Sequence, residues 1–340
     1  MRSTVCGMLA VILMVSGCSS TLMDTTPATV EVAHAAVSPP PVTAPAGQVW
    51  ALTARAQSAI FDTSLASLVV FTPGADPGAD PAAAATLTLF GPSATPRTMT
   101  LPGAATAITG DGQGRAYAST RGGLYTVDLV TGTATSTVIN DERDTDFTAI
   151  ARRADGRLVL GSATGIAYTL GADLAVSAKS EIFARVDAIV TKGDTAVVLD
   201  RGQTSVTALN SQGSPQQALR AGLGATTIAA DPAGRVLVAD TRGGQLLVFG
   251  VDPLIERQAY PVGESPYGVV GSTTLVWVST TADNVVVGYD LATGIPVEKV
   301  RYPTVQQPNT LAIDDASGTL YVVSGSGAGV QVIRNADGRK

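Results

Sequence analysis

The chain has 340 residues, of which 45% are hydrophobic and 15% charged, with 36 Gly and 19 Pro; this balance is typical of a compact β-rich globule and excludes a disordered chain. The net charge of −6 leaves no basic surplus that could bind a phosphate backbone, so we expect no nucleic-acid partner. A single histidine and two cysteines exclude metal sites built from several imidazole or thiolate ligands.

The N-terminus has the pattern of a secretory signal. A short charged start precedes an apolar run from Val5 to Val15, which is too short for a permanent transmembrane helix. The sequence Val15-Ser-Gly-Cys18 resembles the bacterial lipobox, in which the Cys sulfur receives a diacylglycerol and the chain is cut just before it. We therefore predict a signal peptide at residues 1–17 and lipidation at Cys18. The alternative is a signal peptide that contains Cys18 and is cut elsewhere.

Residues 18–47 are rich in Thr, Pro, Ala and Ser and show neither helical nor strand periodicity. They predict a tether that begins at the lipidated Cys18 and holds a domain outside the cell membrane, on its extracytoplasmic side. His34 lies in this tether, away from any packed partner, which excludes Ser-His-Asp and Cys-His catalysis. The other cysteine leaves with the signal peptide, so no disulfide is expected.

Internal repeats fill residues 48–340. Four copies share one register, namely Thr106–Arg115, Thr148–Arg157, Thr226–Arg235 and Thr310–Thr319. Each copy has a short apolar strand, a turn that contains Gly and a second strand, which is the pattern of a β-hairpin. Diverged copies begin near Ser58, Asp187 and Tyr267, and a third and usually a fourth strand follow. Four strands every ~40 residues predict an all-β, seven-bladed β-propeller, with six or eight blades as alternatives.

The two ends of the repeat region predict how the ring closes. The last copy ends near Ile333 with only three strands, whereas Gln48–Leu52 precedes the first copy without a partner. We expect this N-terminal strand to pair into the last blade. The first copy is longer than the others, and Ala75–Ala85 has the composition of a loop insertion.

The repeats resemble those of the YVTN and NHL propeller families. The runs Asp146–Arg153, Leu199–Val206 and Val297–Leu311 are similar to the LppL family of conserved mycobacterial lipoproteins. This resemblance covers the lipobox and nearly all of the mature chain. It implies an envelope lipoprotein without an established biochemical role, and it therefore supports the location and the fold but adds no mechanism.

The likeness to NHL repeats also raises the question of a tunnel site, because lactonase-like propellers hold a divalent metal at the tunnel mouth. The corresponding positions here are mostly hydroxyls, with one carboxylate and one amide: Thr106, Thr148, Asp187, Thr226, Asn309 and Thr310. A hard cation prefers several carboxylate or carbonyl oxygens. We therefore predict a polar tunnel lining without a metal or another cofactor.

Three further loops have compositions that resemble binding sites. Gly110–Arg115 and Ser324–Gly329 could be mistaken for phosphate loops, but neither precedes a helix, and both are interpreted as hairpin turns. Asp141–Asp146 concentrates four carboxylates around Arg143, and we interpret it as a solvated loop with Arg152 and Arg153 as neighbours.

A column of arginines predicts a binding face. Arg121, Arg201 and Arg242 follow the second strands of three blades, with Asp200 and Asp240 in or next to the same loops. Because these loops share one mouth of the ring, the arginines could receive an anionic ligand or an acidic loop of an envelope protein. The alternative is that each Arg pairs with its neighbouring Asp.

Two functions remain open from the sequence. The first is a membrane-anchored interaction scaffold in the cell envelope, with no catalytic residues. The second is a binder of small ligands, or a metal-dependent lactonase-like hydrolase, that uses the central tunnel. Fold alone does not separate them.

Overall fold

The computed structural model describes residues 27–52, 54–74, 83–92 and 95–338. These residues form 28 β-strands in seven four-stranded antiparallel sheets, and no helix is found among them. The innermost strand of each sheet contacts the innermost strands of both neighbouring sheets, which closes a ring. The predicted seven-bladed β-propeller is confirmed, and six or eight blades are excluded.

The chain enters the ring with β1 (Gln48–Trp50) and then forms six blades of four consecutive strands, from the tunnel outward. Blade 1 contains β2 (Ser58–Asp62), β3 (Ser67–Thr72), β4 (Thr86–Phe90) and β5 (Arg97–Thr100). Blade 2 contains β6 (Ala107–Gly110), β7 (Arg115–Thr120), β8 (Gly123–Asp128) and β9 (Ala134–Val138). Blade 3 contains β10 (Phe147–Arg152), β11 (Leu158–Ser162), β12 (Ala167–Leu170) and β13 (Val176–Ser180).

The second half of the ring repeats this order. Blade 4 contains β14 (Ala188–Lys192), β15 (Thr195–Asp200), β16 (Ser205–Leu209) and β17 (Pro215–Arg220). Blade 5 contains β18 (Ala225–Ala230), β19 (Arg235–Asp240), β20 (Gln245–Gly250) and β21 (Ile255–Pro261). Blade 6 contains β22 (Pro266–Gly271), β23 (Val276–Thr280), β24 (Val285–Asp290) and β25 (Val297–Pro303).

Blade 7 is completed by the two ends of the repeat region. Its strands β26 (Pro308–Asp314), β27 (Thr319–Ser324) and β28 (Val330–Ile333) lack a fourth member from the same part of the chain, and β1 supplies it. Strand β1 pairs antiparallel with β28, so that Trp50 lies opposite Val330. The predicted closure is confirmed, with a strand somewhat shorter than the predicted 48–52.

Burial falls from the middle of each blade to its rim. Strands β15 and β19 are buried almost throughout, and both are rich in Val and Leu. The outer strand β17, with the sequence Pro-Gln-Gln-Ala-Leu-Arg, is mostly exposed. This gradient follows from the architecture, because middle strands lie between two neighbouring blades and need apolar side chains on both faces.

The turns follow the predicted chemistry. Asp128 Oδ1 accepts hydrogen bonds from the main-chain N–H groups of Val130 and Thr131 at 2.9 and 2.8 Å. Gly132 then adopts a φ of +80°, which favours glycine. Both Gly-containing loops that resembled phosphate loops connect paired strands, β6 with β7 and β27 with β28, as predicted.

The two tryptophans pack between blades, as expected. Trp277 is fully buried. Trp50 is half-buried; its ring stacks on Phe90 at 5.5 Å between centroids and lies 6.0 Å from the ring of Tyr321. Trp50 therefore links the closing strand of blade 7 to blade 1.

Candidate functional site

One side of the ring, called the loop face here, carries the predicted arginines. It is formed by the turns between the second and third strands of each blade and by the links from one blade to the next. Arg121, Arg201 and Arg242 all lie in such turns, in blades 2, 4 and 5. The structure therefore places the three side chains on one face, as the repeat alignment predicted.

The loop face also holds a part of the chain that was expected to be a free tether. Residues 30–39, called the docked segment here, run across the loop face from blade 4 to blade 7. Val30 N–H donates to Gly202 O at 2.8 Å, and Ala36 N–H donates to Ser265 Oγ at 2.8 Å. Within the docked segment, Ala33 and Ser38 are buried. The later part of the expected tether is thus packed on the propeller, whereas Cys18 lies outside the described residues.

The contacts at blades 6 and 7 use the main chain of the docked segment. Gln307 Nε2 donates to Ala36 O at 3.0 Å, and Gln307 Oε1 accepts from Ser38 N–H at 3.0 Å. Asn284 Nδ2 donates to Pro39 O at 2.8 Å. Main-chain groups of the docked segment make most of these bonds, and one side chain adds two, since Ser38 Oγ donates to Thr281 O at 2.7 Å and accepts from Gln307 N–H at 3.0 Å.

Two of the three arginines belong to this contact. Arg201 Nη2 donates to Ala33 O, and Arg242 Nη2 donates to Glu31 O at 2.7 Å. Arg242 also donates to Leu223 O at 3.2 Å. The role of these guanidinium groups in the structure is to bind carbonyl oxygens of the docked segment, which sequence reasoning missed.

Arg121 has different partners. Its guanidinium lies 3.1 Å from Asp146 and 3.4 Å from Asp144, and all three side chains are more than half exposed. The three arginines therefore share a face but form no common pocket. An exposed ion pair of this kind contributes little to stability, about 0–1 kcal/mol, so these charges are available for an external contact.

The expected pairing of Arg201 and Arg242 with Asp200 and Asp240 is wrong. Asp200 is fully buried and accepts main-chain hydrogen bonds from Ala184 at 2.7 Å and Gln203 at 2.9 Å. Asp240 accepts equivalent bonds from residues 223, 224 and 243. Both carboxylates organise the loops by satisfying main-chain donors that would otherwise be buried without partners.

The threonines of the first strands connect neighbouring blades. Thr106 Oγ1 donates to Phe147 O, Thr148 Oγ1 donates to Val186 O, and Thr310 Oγ1 donates to Gln57 O. In blade 5 the bond to blade 6 is made by Thr227, whereas Thr226 bonds to Thr241 within its own blade. These hydroxyls therefore join blades, and sequence reasoning had placed them only in the tunnel lining.

The tunnel itself is a cavity of about 580 Å³, lined by all seven innermost strands. Thr148, Asp187, Thr226, Asn309 and Thr310 contribute to its wall, while Thr106 is not part of the lining. Branched aliphatic side chains from every blade make much of the remaining wall, namely Ile60, Ile108, Ile150, Ile189, Ile228, Val269 and Leu311. Polar groups and branched aliphatic side chains therefore share the wall of the tunnel.

Asp187 is the acidic group of this lining. Its carboxylate accepts hydrogen bonds from Arg185 Nε at 2.9 Å and from the main-chain N–H of Arg201 at 2.9 Å. Burial raises the pKa of Asp187, against the opposing effect of these two partners. Asn309 Oδ1 accepts from Gln307 Nε2 at 3.0 Å, the same amide that binds Ala36 O. The tunnel mouth is therefore connected to the docked segment through one side chain.

In the part of the chain that the structure describes, no group of three or more His, Cys, Asp or Glu side chains could hold a metal ion. Asp187 and Asn309 lie at the tunnel, but their oxygens already accept hydrogen bonds from protein groups. His34 is exposed and lies in the docked segment beside Arg242. None of these residues meets a second group in an arrangement that supports acid-base or nucleophilic catalysis.

The acidic loop 141–146 is only partly solvated, which corrects the sequence interpretation. Glu142 is buried; it lies 2.5 Å from Lys179 Nζ and accepts a hydrogen bond from Tyr168 at 2.9 Å. Burial alone would raise the pKa of Glu142, but its hydrogen bonds from Lys179, Thr145 and Tyr168 outweigh burial and lower the pKa. Burial, together with Glu142, also raises the pKa of Tyr168 to about 12.

The predicted arginine neighbours of this loop lie elsewhere. Arg153 is buried and donates to the carbonyl oxygens of Asn210 and Ser211, at 2.7 and 2.8 Å, in the adjacent blade. It lies just after β10, whereas the acidic loop precedes β10, so the strand separates the two. Arg153 is therefore a link between blades 3 and 4 and not a partner of the acidic loop.

The described ranges contain no helix with the length and hydrophobicity needed to cross a membrane. No protein-family model matches the sequence, and no curated protein matches it. Known structures match the fold. A chain of the mitotic checkpoint complex has a TM-score of 0.70 and 10% identity, with 90% of this chain and 96% of that chain covered.

Two lyase structures have the same fold. A streptogramin B lyase matches with a TM-score of 0.68 and 10% identity, covering 85% of this chain and 96% of that one. A catalytically inactive variant of virginiamycin B lyase from Staphylococcus aureus, solved with Quinupristin, matches with a TM-score of 0.66 and 11% identity, covering 84% and 97%. At such low identity, these similarities establish the β-propeller fold and nothing about activity.

Proposed function

We propose that this protein is a lipoprotein anchored to the extracytoplasmic side of the cell membrane through Cys18, and that its propeller is an interaction scaffold of the cell envelope. The lipobox-like sequence supports the anchor, and the rigid seven-bladed ring supports the scaffold. For the anchor, Cys18→Ser should remove the acyl mass from the N-terminal peptide and release the protein from the membrane fraction. Retention of the protein at unchanged mass would refute the anchor.

One observation supports a scaffold over an enzyme. The polar groups at the tunnel mouth are already hydrogen-bonded to protein, whereas Arg121, Asp144 and Asp146 leave an exposed charged cluster on the loop face. This cluster lies beside blades 2 and 3, outside the part of the loop face that the docked segment covers. Exposed charges on a rigid surface suit recognition of a partner with complementary charges.

Cross-linking in the native envelope tests the scaffold. A protein partner should co-purify with the unchanged protein and be lost with Arg121→Glu, because the reversed charge is repelled by what Arg121 normally attracts. Arg257→Glu, an exposed site on the outer strand of blade 5, is the matched control. Substitutions at Arg201 or Arg242 are unsuitable here, since they would also free the docked segment. Recovery of the same proteins with Arg121→Glu as with the unchanged chain would contradict this surface.

A second candidate is binding of a small ligand in the tunnel. It is favoured by the volume of about 580 Å³, by Asp187 and Asn309 at the mouth, and by the shared fold with a lyase solved with Quinupristin. That lyase was inactivated by replacing a histidine; the single histidine of this chain lies outside the tunnel, so we propose binding rather than lyase chemistry. The metal-dependent form of this candidate predicts a higher melting temperature with Ca²⁺, and loss of that shift in Asp187→Asn.

A further inference from the structure

We propose that the blade 4 sector of the loop face lies against the lipid bilayer, held there by the docked segment. This inference rests on the proposed acylation of Cys18. The sector consists of the start of the docked segment, the link from blade 3 to blade 4, and the link from blade 4 to blade 5. Its partner is the surface of the bilayer into which the acyl chains insert.

The docked segment shortens the connection to the membrane. Since Val30 is bound to Gly202 at 2.8 Å, only residues 19–29 can span the distance between the acylated Cys18 and the ring. This part of the chain reaches roughly 40 Å when fully extended, at about 3.3–3.6 Å per residue. A chain of that length starting at blade 4 keeps blade 4 closer to the bilayer than the opposite side of the disc.

The side chains of the sector suit a bilayer surface. Val30, Ile182 and Leu223 are 40%, 45% and 59% exposed, and they lie on the three segments that make up the sector. The three segments that carry them meet at blade 4, because Thr29 and Ala184 both lie beside Gly202, and Ala33 lies beside Gly224. Aliphatic side chains beside cationic ones are the composition of protein surfaces that lie in the lipid headgroup region.

Charge plays the smaller part in this contact. Arg185, Arg220 and Arg242 are on the sector, and Glu31 and Glu181 offset two of these positive charges. The contact therefore depends on the acyl anchor and on the aliphatic residues more than on anionic lipid. We expect the same orientation in vesicles of phosphatidylcholine and in vesicles that also contain phosphatidylglycerol.

The test places a fluorophore on each side of the disc. After acylation of Cys18 the mature chain has no other thiol, so one introduced cysteine is the sole labelling site. The full acylated protein carrying Leu223→Cys or Ile295→Cys is labelled and reconstituted into vesicles whose lipids bear a nitroxide quencher. Ile295 is a matched position, 65% exposed, on the opposite face between β24 and β25. Quenching should be several-fold stronger at residue 223 than at residue 295.

A second pair of variants shows whether the docked segment sets this orientation. Arg201→Ala combined with Arg242→Ala removes two side-chain contacts to the docked segment and should reduce the difference in quenching, whereas Arg257→Ala should preserve it. Vesicle flotation and the mass of the N-terminal peptide report acylation in every sample. Acylated protein with equal quenching at both positions would overturn the orientation alone, and protein without an acyl group would overturn both the orientation and the anchor.

Discussion

The stacking of Trp50 between blades 7 and 1 predicts a measurable cost of opening the ring. The Trp50 ring lies 5.5 Å from that of Phe90 and 6.0 Å from that of Tyr321, and its strand is the fourth strand of blade 7. Burying an aromatic side chain removes roughly 150–250 Å² from water, and each Å² contributes about 25 cal/mol. The expected loss is smaller than for complete burial, because Trp50 is only partly buried and the alanine side chain retains Cβ. We therefore expect Trp50→Ala to lower the free energy of unfolding by about 3 kcal/mol.

Urea and thermal unfolding followed by circular dichroism test this expectation. A loss of ~3 kcal/mol corresponds to a fall in melting temperature of roughly 5 °C for a domain that spans residues 48–340, at about 2.1 cal/mol/K of unfolding entropy per residue. Val49→Ala is the control, since Val49 is on the same strand but 45% exposed and outside the aromatic cluster. Deletion of residues 48–52 should lower the melting temperature further. If Trp50→Ala melted within about 1 °C of the control, the role assigned to the closing strand would be refuted.

Three further predictions concern the loop face and the links between blades. Glu142→Gln should lower the free energy of unfolding by about 2 kcal/mol at pH 7, since it removes the charge that binds Lys179. The pKa of Glu142 is lower in the folded protein than in the unfolded chain. The stabilisation by its charge is therefore fully present at pH values above the ordinary pKa of Glu and is lost as the pH falls through the pKa of the folded state. The urea midpoints of the two proteins should accordingly converge in acid. Arg242→Ala should increase protease cleavage within residues 30–39 and leave the melting temperature nearly unchanged; protection equal to that of the unchanged chain would contradict the contact. Thr148→Val should cost about 1 kcal/mol in a urea titration, because the carbonyl of Val186 loses its donor.

The sequence was sufficient for the fold because each blade repeats a local pattern. The aligned hairpins, the Gly-containing turns and the missing fourth strand near Ile333 are all visible as residues, and the structure confirms the seven blades and the closing strand. Each of these features depends on short-range turn chemistry or on strand hydrophobicity. Such signals can be read without knowing which distant residues meet.

The docked segment could not be predicted for the opposite reason. Most of its contacts are made by main-chain groups of residues such as Val30, Ala33 and Ala36, which leave no mark in the sequence. A stretch rich in Pro, Thr and Ala has the same composition whether it is free or bound. The repeat alignment predicts Arg121, Arg201 and Arg242 on one face, but the carbonyl partners of Arg201 and Arg242 lie far away in the chain.

Two further differences between the sequence predictions and the structure concern a threonine of blade 5 and the acidic loop 141–146. In blade 5 the hydroxyl that reaches blade 6 belongs to Thr227, one residue after the aligned Thr226, although β10 and β18 have the same register irregularity. Glu142 was interpreted as solvated because its neighbours in sequence are polar. Its partner Lys179 comes from the outer strand of the next blade, and only the fold brings the two together.

The position of the docked segment along the chain has a mechanical consequence. A pulling force applied at the N-terminal side reaches the bond between Val30 and Gly202 first, then the contacts of Ala33, Ala36 and Ser38, and only afterwards the closing strand β1. These bonds are loaded one after another, so they can peel and re-form while the ring stays closed. The docked segment would thus take up tension applied from the N-terminal side before that tension reaches the contact between blades 7 and 1.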